Sequence, residues 1–139
     1  MPIKAENRAR YPADWKAIRT AILERARYAC EWPGCGAIQY SVGYWTHEGF
    51  RWVGERNWYP TYAEARQAAA DNQPDDPDEP KNIVIVLTVA HLDHTPENCA
   101  PENLRAWCQR HHLAYDHKHH IGNAQATRRA KLGNLELEL

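Results

Sequence analysis

Two pairs of metal-binding side chains, far apart in the sequence, constrain the fold more than any other feature. Cys30 and Cys35 form a C-x4-C pair around a Pro-Gly turn, and Cys108 and His111 form a C-x2-H pair that we place on one helical face. Four ligands in two short-spaced pairs are typical of a structural zinc site. The pattern predicts a zinc ion that joins the N-terminal part of the chain to its C-terminal half. The alternative is that Cys30 and Cys35 are buried thiols.

Composition favours metal-binding cysteines over a disulfide scaffold. The chain has 139 residues, and the residues after Met1 are polar and basic, unlike a secretory signal. Its longest apolar stretch, residues 83–90, is too short to span a membrane. We therefore expect a single soluble, cytoplasmic domain over residues 1–139, with its cysteines reduced. Cys99 has no close partner in the sequence, and we assign it no role.

Charge is segregated along the chain although the formal net charge is only −1. Residues 1–27 carry seven Lys/Arg against three acids, and residues 104–131 carry six against one. Residues 71–80 carry five acids and no base. This distribution predicts two basic ends separated by an acidic linker.

Hydrophobic spacing predicts an α+β fold with five consecutive segments. We expect a helix and a metal-binding knuckle over 12–37, with the helix from about 12 to 27. An inserted strand and helix element follows over 38–73, whose aromatic residues form its own small core or, alternatively, stack on bases. An acidic linker covers 74–82. The core covers 83–120, with a buried strand over 82–91 and a helix over 103–120, and a polar tail covers 121–139.

Polar side chains that follow the predicted strand suit hydrolysis of a phosphodiester. His91 ends the strand, Asn103 comes twelve residues later, and His112 comes nine residues after that. A neutral imidazole can accept a proton from water, an amide can orient that imidazole, and a second imidazole can hold a divalent metal. Asp93 is the nearest carboxylate for that metal. Asp116, one helical turn after His112, is a further ligand or an orienting group.

The stretch "AHLDHTPENCAPENLRAWCQRHH" resembles the HNH endonucleases with the ββα-metal fold, closest to those of phages and mobile elements. The resemblance covers residues 83–117 and the upstream cysteine pair. It implies that His91 is the general base, that Asn103 orients it, and that His112 binds the catalytic metal. It also implies a structural zinc site in which His111 replaces the usual fourth cysteine. Members of this family cut or nick DNA with Mg, Mn or a similar divalent ion.

The sequence departs from the family at Ala90, where a metal-binding Asp or His usually precedes the base. Either Asp93 replaces that ligand, or the metal is held weakly, or activity is lost. In a second register His94 is the base and Asp93 the ligand, but His94 lies only nine residues before Asn103, and we favour His91. The remaining histidines of the C-terminal segment are predicted to form a solvated helix end: His117, His119 and His120.

The leading hypothesis is therefore a metal-dependent HNH endonuclease or nickase acting on DNA. Arg105, Arg110 and Lys118 are the predicted contacts to the phosphates. The alternative is a catalytically weak or inactive zinc-stapled module that binds nucleic acid or protein. A third hypothesis is an inhibitor or partner of another nuclease system, acting through the insertion. Expected partners are DNA and other phage or mobile-element proteins, with a homodimer as an option and no membrane.

Overall fold

The structure, a computed structural model, describes residues 5–117 together with residues 125, 128 and 129. The chain divides into two compact units, Met1–Gln109 and Arg110–Leu139. In the first unit the elements are a 3-10 helix (Ala5–Arg10), α1 (Trp15–Arg25), β1 (Val42–Thr46), β2 (Gly49–Trp52), α2 (Tyr62–Asp71), β3 (Ile83–Val84), β4 (Leu87–His91), a 3-10 turn (Pro101–Asn103) and β5 (Leu104–Cys108). Residues 109–117 are helical and form α3, so this helix begins in the first unit and continues into the second.

The predicted N-terminal helix is confirmed, although α1 is shorter than the expected range. It ends at Arg25 because the chain enters the left-handed region at Arg27 and Tyr28, where φ is 55° at both residues. The Tyr28 amide then donates to the Leu23 carbonyl at 2.9 Å, which closes the last turn. Ile22 and Leu23 are buried, and α1 packs against β4 and β5.

The insertion forms a three-stranded antiparallel sheet in the order β2-β1-β3, with α2 packed on it. The Thr61 hydroxyl caps α2 by accepting the Glu64 amide at 3.2 Å. Buried Val42, Ala65 and Ala69 form its core, which confirms the predicted strand and helix element with a small core of its own. Not all of its aromatic residues belong to this core: Phe50 is buried, whereas Trp52 and Trp58 are exposed at the surface.

The apolar run over 82–91 forms two strands, and the prediction of a single strand is wrong. Ile85 lies between them and bonds to the insertion, since its amide donates to the Ser41 carbonyl at 2.8 Å. Before Ile85 the chain pairs with β1 as β3, and after it the chain pairs with β5 as β4. A continuous apolar run suits burial in either sheet, so periodicity alone does not reveal the switch.

The predicted helix over 103–120 is also wrong in its first part, because Leu104–Cys108 is strand β5. This strand pairs antiparallel with β4 in a register that sets Leu104 opposite His91 and Cys108 opposite Leu87. Leu104 and Trp107 are buried, so tertiary pairing overrides the local helical pattern. Cys108 therefore ends a strand, and it does not share a helical face with His111 as we expected.

The acidic linker has no helix or strand over residues 74–82, as predicted. Its ends are joined by side chains, since Asn82 donates to the Asn72 carbonyl at 2.6 Å and Gln73 donates to the Asn82 carbonyl at 2.9 Å. Most of the predicted tail lies outside the described residues. Across the part of the chain that is described, no helix is at once long enough and apolar enough to cross a membrane.

Candidate functional site

The knuckle that carries Cys30 and Cys35 is a tight turn set by its sequence. The Cys35 amide donates to the Trp32 carbonyl at 3.0 Å, with Pro33 and Gly34 at the two central positions. Proline favours the first of these positions, and the second requires the positive φ of 80° that Gly34 adopts. Cys30 donates its amide to the Ala37 carbonyl at 2.8 Å, which closes the loop behind the thiols. The predicted Pro-Gly turn is confirmed.

Glu31 attaches this knuckle to the edge of β5. Its amide donates to the Ala106 carbonyl and its carboxylate accepts the Ala106 amide, both at 2.8 Å. Arg25 from α1 donates to the same carboxylate and to the Leu104 carbonyl, also at 2.8 Å. Burial alone would raise the pKa of Glu31, but the hydrogen bonds from Arg25 and Ala106 outweigh burial and lower it. The carboxylate therefore stays ionised and holds Cys30 beside Cys108.

Three thiols and one imidazole come together at this junction. The ligand atoms of Cys30, Cys35, Cys108 and His111 all lie within 4.8 Å of one another. All four cysteines lie in the described part of the chain, and none of them is in a disulfide there. Ligands about 2.3 Å from a tetrahedral zinc ion lie about 3.8 Å apart, so this spacing needs little adjustment to close around zinc. The predicted set of ligands is thus assembled and could hold zinc.

The electrostatics of the cluster also suit a cation. Burial and the neighbouring Cys30 thiol raise the pKa of Cys35, against the lowering by the Ala37 amide. Thiols that are crowded together resist ionisation until a divalent cation compensates their charge. The Cys108 amide donates to the Cys30 sulfur at 3.3 Å, a bond that would orient this sulfur if it bound a cation.

His91 is the last residue of β4 and is almost fully buried, with 9% of its surface exposed. Its ring stacks on Trp15, with centroids 5.1 Å apart and planes 25° from parallel. Tyr11 meets the ring edge-on at 5.7 Å. On the side of the ring that carries Nε2, the Cys99 sulfur lies 3.8 Å away. Burial, with Asp14 and Glu97 nearby, raises the pKa of Cys99, so His91 faces a neutral thiol.

Asn103 and Asp93 organise the loop that follows His91. The Asn103 amide nitrogen donates to the Asp93 carboxylate and to the Asn98 carbonyl, both at 2.9 Å, and its oxygen accepts the Asp93 amide at 3.3 Å. Both amide hydrogens are therefore used within the loop. The Leu92 amide, next to His91, donates to the Asn103 carbonyl at 2.9 Å. That Asn103 orients His91 remains a prediction.

Asp93 is held as a carboxylate by the same loop. Hydrogen bonds from the Asn98 side chain, the Asn103 side chain and the Thr95 amide lower its pKa from 3.8 to about 2. Its two oxygens thus accept three hydrogen bonds from the loop. Ala90, which precedes His91, is buried with 2% of its surface exposed.

His112 lies in the second unit, on α3, where its Nε2 is 3.1 Å from the Asp116 carboxylate. The spacing of one helical turn that we predicted for this pair is confirmed. Arg105 and Arg110 are described as well: Arg105 donates to the Glu102 and Leu104 carbonyls at 3.0 and 2.9 Å, and Arg110 is exposed. Lys118 lies outside the described residues, as do His119 and His120.

A second cluster of metal ligands is not assembled in the described part of the chain. Among those residues, the Cys3His set is the one group of three or more such side chains that comes together. A catalytic ion at His112 and Asp93 remains a prediction.

Sequence reasoning missed the surroundings of His91. Neither Tyr11 nor Trp15 was assigned to a functional site, and Cys99 was left unassigned. The pattern of Tyr11 and Trp15, four residues apart around Pro12, is the one signal for a shared aromatic surface. Nothing in the sequence shows which residue that surface meets.

Replacing Asp93 with asparagine should loosen the loop that follows His91 without unfolding the protein. Asp93 has a pKa near 2 in the folded chain and 3.8 as its ordinary value, so its stabilising effect is complete above pH 3.8 and fades as the pH falls towards 2. In NMR spectra of the native protein, the chemical shifts of the Asn103 side-chain amide should change with pH, with a midpoint near the pKa of Asp93, about 2. In Asp93→Asn this pH dependence should be absent. A midpoint near 3.8 in the native protein would contradict the assignment.

No family model, no curated protein and no solved structure matches this chain.

Proposed function

We propose that the protein is a metal-dependent endonuclease of the HNH type that hydrolyses phosphodiester bonds in DNA. The observation that carries the proposal is the end of the β4–β5 hairpin, where buried His91 is followed by a loop that Asp93 and Asn103 hold in place. In the chain, this hairpin is followed directly by α3, which carries His112. Strand, strand and helix in this order, with these residues on them, agree with the resemblance.

In this proposal His91 acts on a water molecule beside the phosphate. A neutral imidazole accepts the proton as the water oxygen attacks phosphorus, and the bond to the leaving oxygen breaks while that oxygen gains a proton. A divalent cation, when bound, supplies positive charge to the phosphate. His112 is the residue proposed to hold it, with Asp116 orienting the imidazole as carboxylates do for metal-binding histidines.

Contacts to DNA are proposed for the basic residues near this end of the chain. Arg110 is exposed, and Arg105 is partly exposed on β5. Contacts to phosphates depend on salt and carry no sequence information. Binding should therefore weaken as salt rises, and it should differ little between DNA sequences.

The second candidate is a zinc-stapled module without catalytic activity. It is favoured by the two positions proposed for the catalytic metal near His91. Ala90 cannot bind an ion, and the Asp93 carboxylate already accepts hydrogen bonds from the loop. In that case the hairpin and knuckle serve as a scaffold that binds nucleic acid or a protein partner. This module would bind zinc and keep its fold, and it would cut no DNA.

A plasmid assay separates the two candidates. Purified protein is incubated with supercoiled DNA at low salt, with Mg, Mn or Ni titrated against EDTA. The nuclease should convert the plasmid to the open-circular form with one of these ions, and additional linear product would indicate cleavage of both strands. If folded protein containing one zinc ion cuts with none of these metals and still retains DNA in a gel-shift assay, the binding module is the correct function.

A further inference from the structure

The ring of His91 lies in an aromatic clamp, which we define as Tyr11 and Trp15. Trp15 covers one face of the imidazole at 5.1 Å, and Tyr11 meets it at 74°. The two clamp residues also contact each other, with centroids 5.1 Å apart. The three rings therefore pack as a unit, and the two aromatic neighbours restrain the plane of the imidazole.

The clamp is fixed to both sides of His91. Trp15 is the first residue of α1, which packs against β4 and β5. Arg10, next to Tyr11, donates two hydrogen bonds to Glu97 in the loop after His91, at 2.6 and 3.0 Å. This ion pair is exposed and contributes little to stability, but it joins the clamp to the loop.

We propose that Trp15 and Tyr11 are positioning residues that hold the imidazole of His91 in the plane from which it accepts a proton. The torsion that rotates a histidine ring has a broad energy profile, so the backbone of β4 does not set the plane of the ring. A general base acts efficiently only when its nitrogen is aimed within about 10–20° of the required direction. Stacking on Trp15 restrains this rotation without using either ring nitrogen.

The inference rests on the proposed function, because a positioning role has meaning only if His91 is the base. A positioning role and a purely structural role for Trp15 predict different effects of replacing this residue. A core residue affects stability and leaves the turnover of folded protein unchanged. A positioning residue affects turnover more than substrate binding, and an aromatic replacement that keeps the stack restores it.

The test compares three variants by two measurements. In Trp15→Leu the stack is lost, in Trp15→Phe it is kept, and Ile22→Val is the matched control, since Ile22 is buried on the same helix. NMR of histidine-labelled protein reports the ring-current shift that the indole imposes on the ring protons of His91. We expect that shift to disappear in Trp15→Leu and to persist in Ile22→Val.

Cleavage kinetics form the second measurement. In Trp15→Leu we expect kcat to fall by about 10²-fold with little change in KM, because a misdirected base costs rate and not affinity. Trp15→Phe should recover most of the loss, and Ile22→Val should retain the native kcat. An unchanged kcat in Trp15→Leu, or an unchanged ring-current shift, would overturn the clamp while leaving the nuclease intact. If the native protein cleaves no DNA, the proposed function fails and the catalytic role of the clamp fails with it, whatever the shift shows.

Discussion

We expect His91→Gln to lower the rate of DNA cleavage by about 10²- to 10⁴-fold while the fold and the zinc content stay intact. Glutamine is planar and polar like imidazole, but its amide does not accept a proton near neutral pH. It is a better replacement than alanine here, because His91 is 9% exposed and packs against Trp15. Alanine would leave a cavity and destabilise the protein, so a lower cleavage rate would not report the loss of the base alone.

Two matched variants make this result specific. His47→Gln changes a histidine whose side chain is 92% exposed, and it should cut like the native protein. His94→Asn tests the alternative register in which His94 is the base. Asparagine suits that position because φ is 55° there, and asparagine tolerates the left-handed region. Full activity in His91→Gln together with loss in His94→Asn would move the role of base to His94.

Loss of the knuckle ligands should have the largest effect on stability. We expect Cys30→Ser to abolish stoichiometric zinc binding and to lower the melting temperature by about 10 °C or more, since metal binding at such a site is largely folding free energy. The physical reason is that the ligands of the Cys3His set come from three segments, namely the knuckle, the end of β5 and the following helix. A bound metal would therefore link these three segments. Without a cation, the thiols of this buried cluster lack the charge that favours their ionised form.

Metal content and calorimetry measure this prediction directly. Cys99→Ser is the control, because Cys99 is a thiol outside the cluster, and this variant should keep both its zinc and its melting temperature. His111→Cys should retain the metal, and His111→Ala should weaken binding. Replacing zinc with Co²⁺ should give the visible absorption of a tetrahedral thiolate site. Unchanged melting and unchanged zinc content in Cys30→Ser would show that Cys30 and Cys35 are only buried thiols.

The knuckle is the part of the protein that its sequence alone determined most fully. Pro33 and Gly34 favour one kind of turn, and cysteines on either side of it then lie close together for local reasons. Because zinc requires four ligands, Cys108 and His111 could be assigned to the same site without knowledge of the path between them. The predicted group assembles in the structure, although Cys108 is supplied by a strand and not by a helix.

The paths of the central strands were decided only by tertiary structure. The apolar residues from Ile83 to Val89 suit burial in any sheet. Only the strand pairings, and the hydrogen bond of Ile85 to the insertion, reveal that the run serves two sheets. Leu104 to Cys108 has a pattern that also fits a helix, and pairing with β4 makes it a strand. Such pairings join residues that are distant in the sequence, so local periodicity does not predict them.

The environment of His91 likewise depended on the tertiary structure. The sequence places a histidine at the end of a strand and predicts chemistry for it. Trp15 is 76 positions away in the chain, and only the packing of α1 on β4 brings its indole over the imidazole. The local sequence thus identified the chemical groups of the candidate site. Contacts between residues distant in the sequence decided the surroundings of those groups.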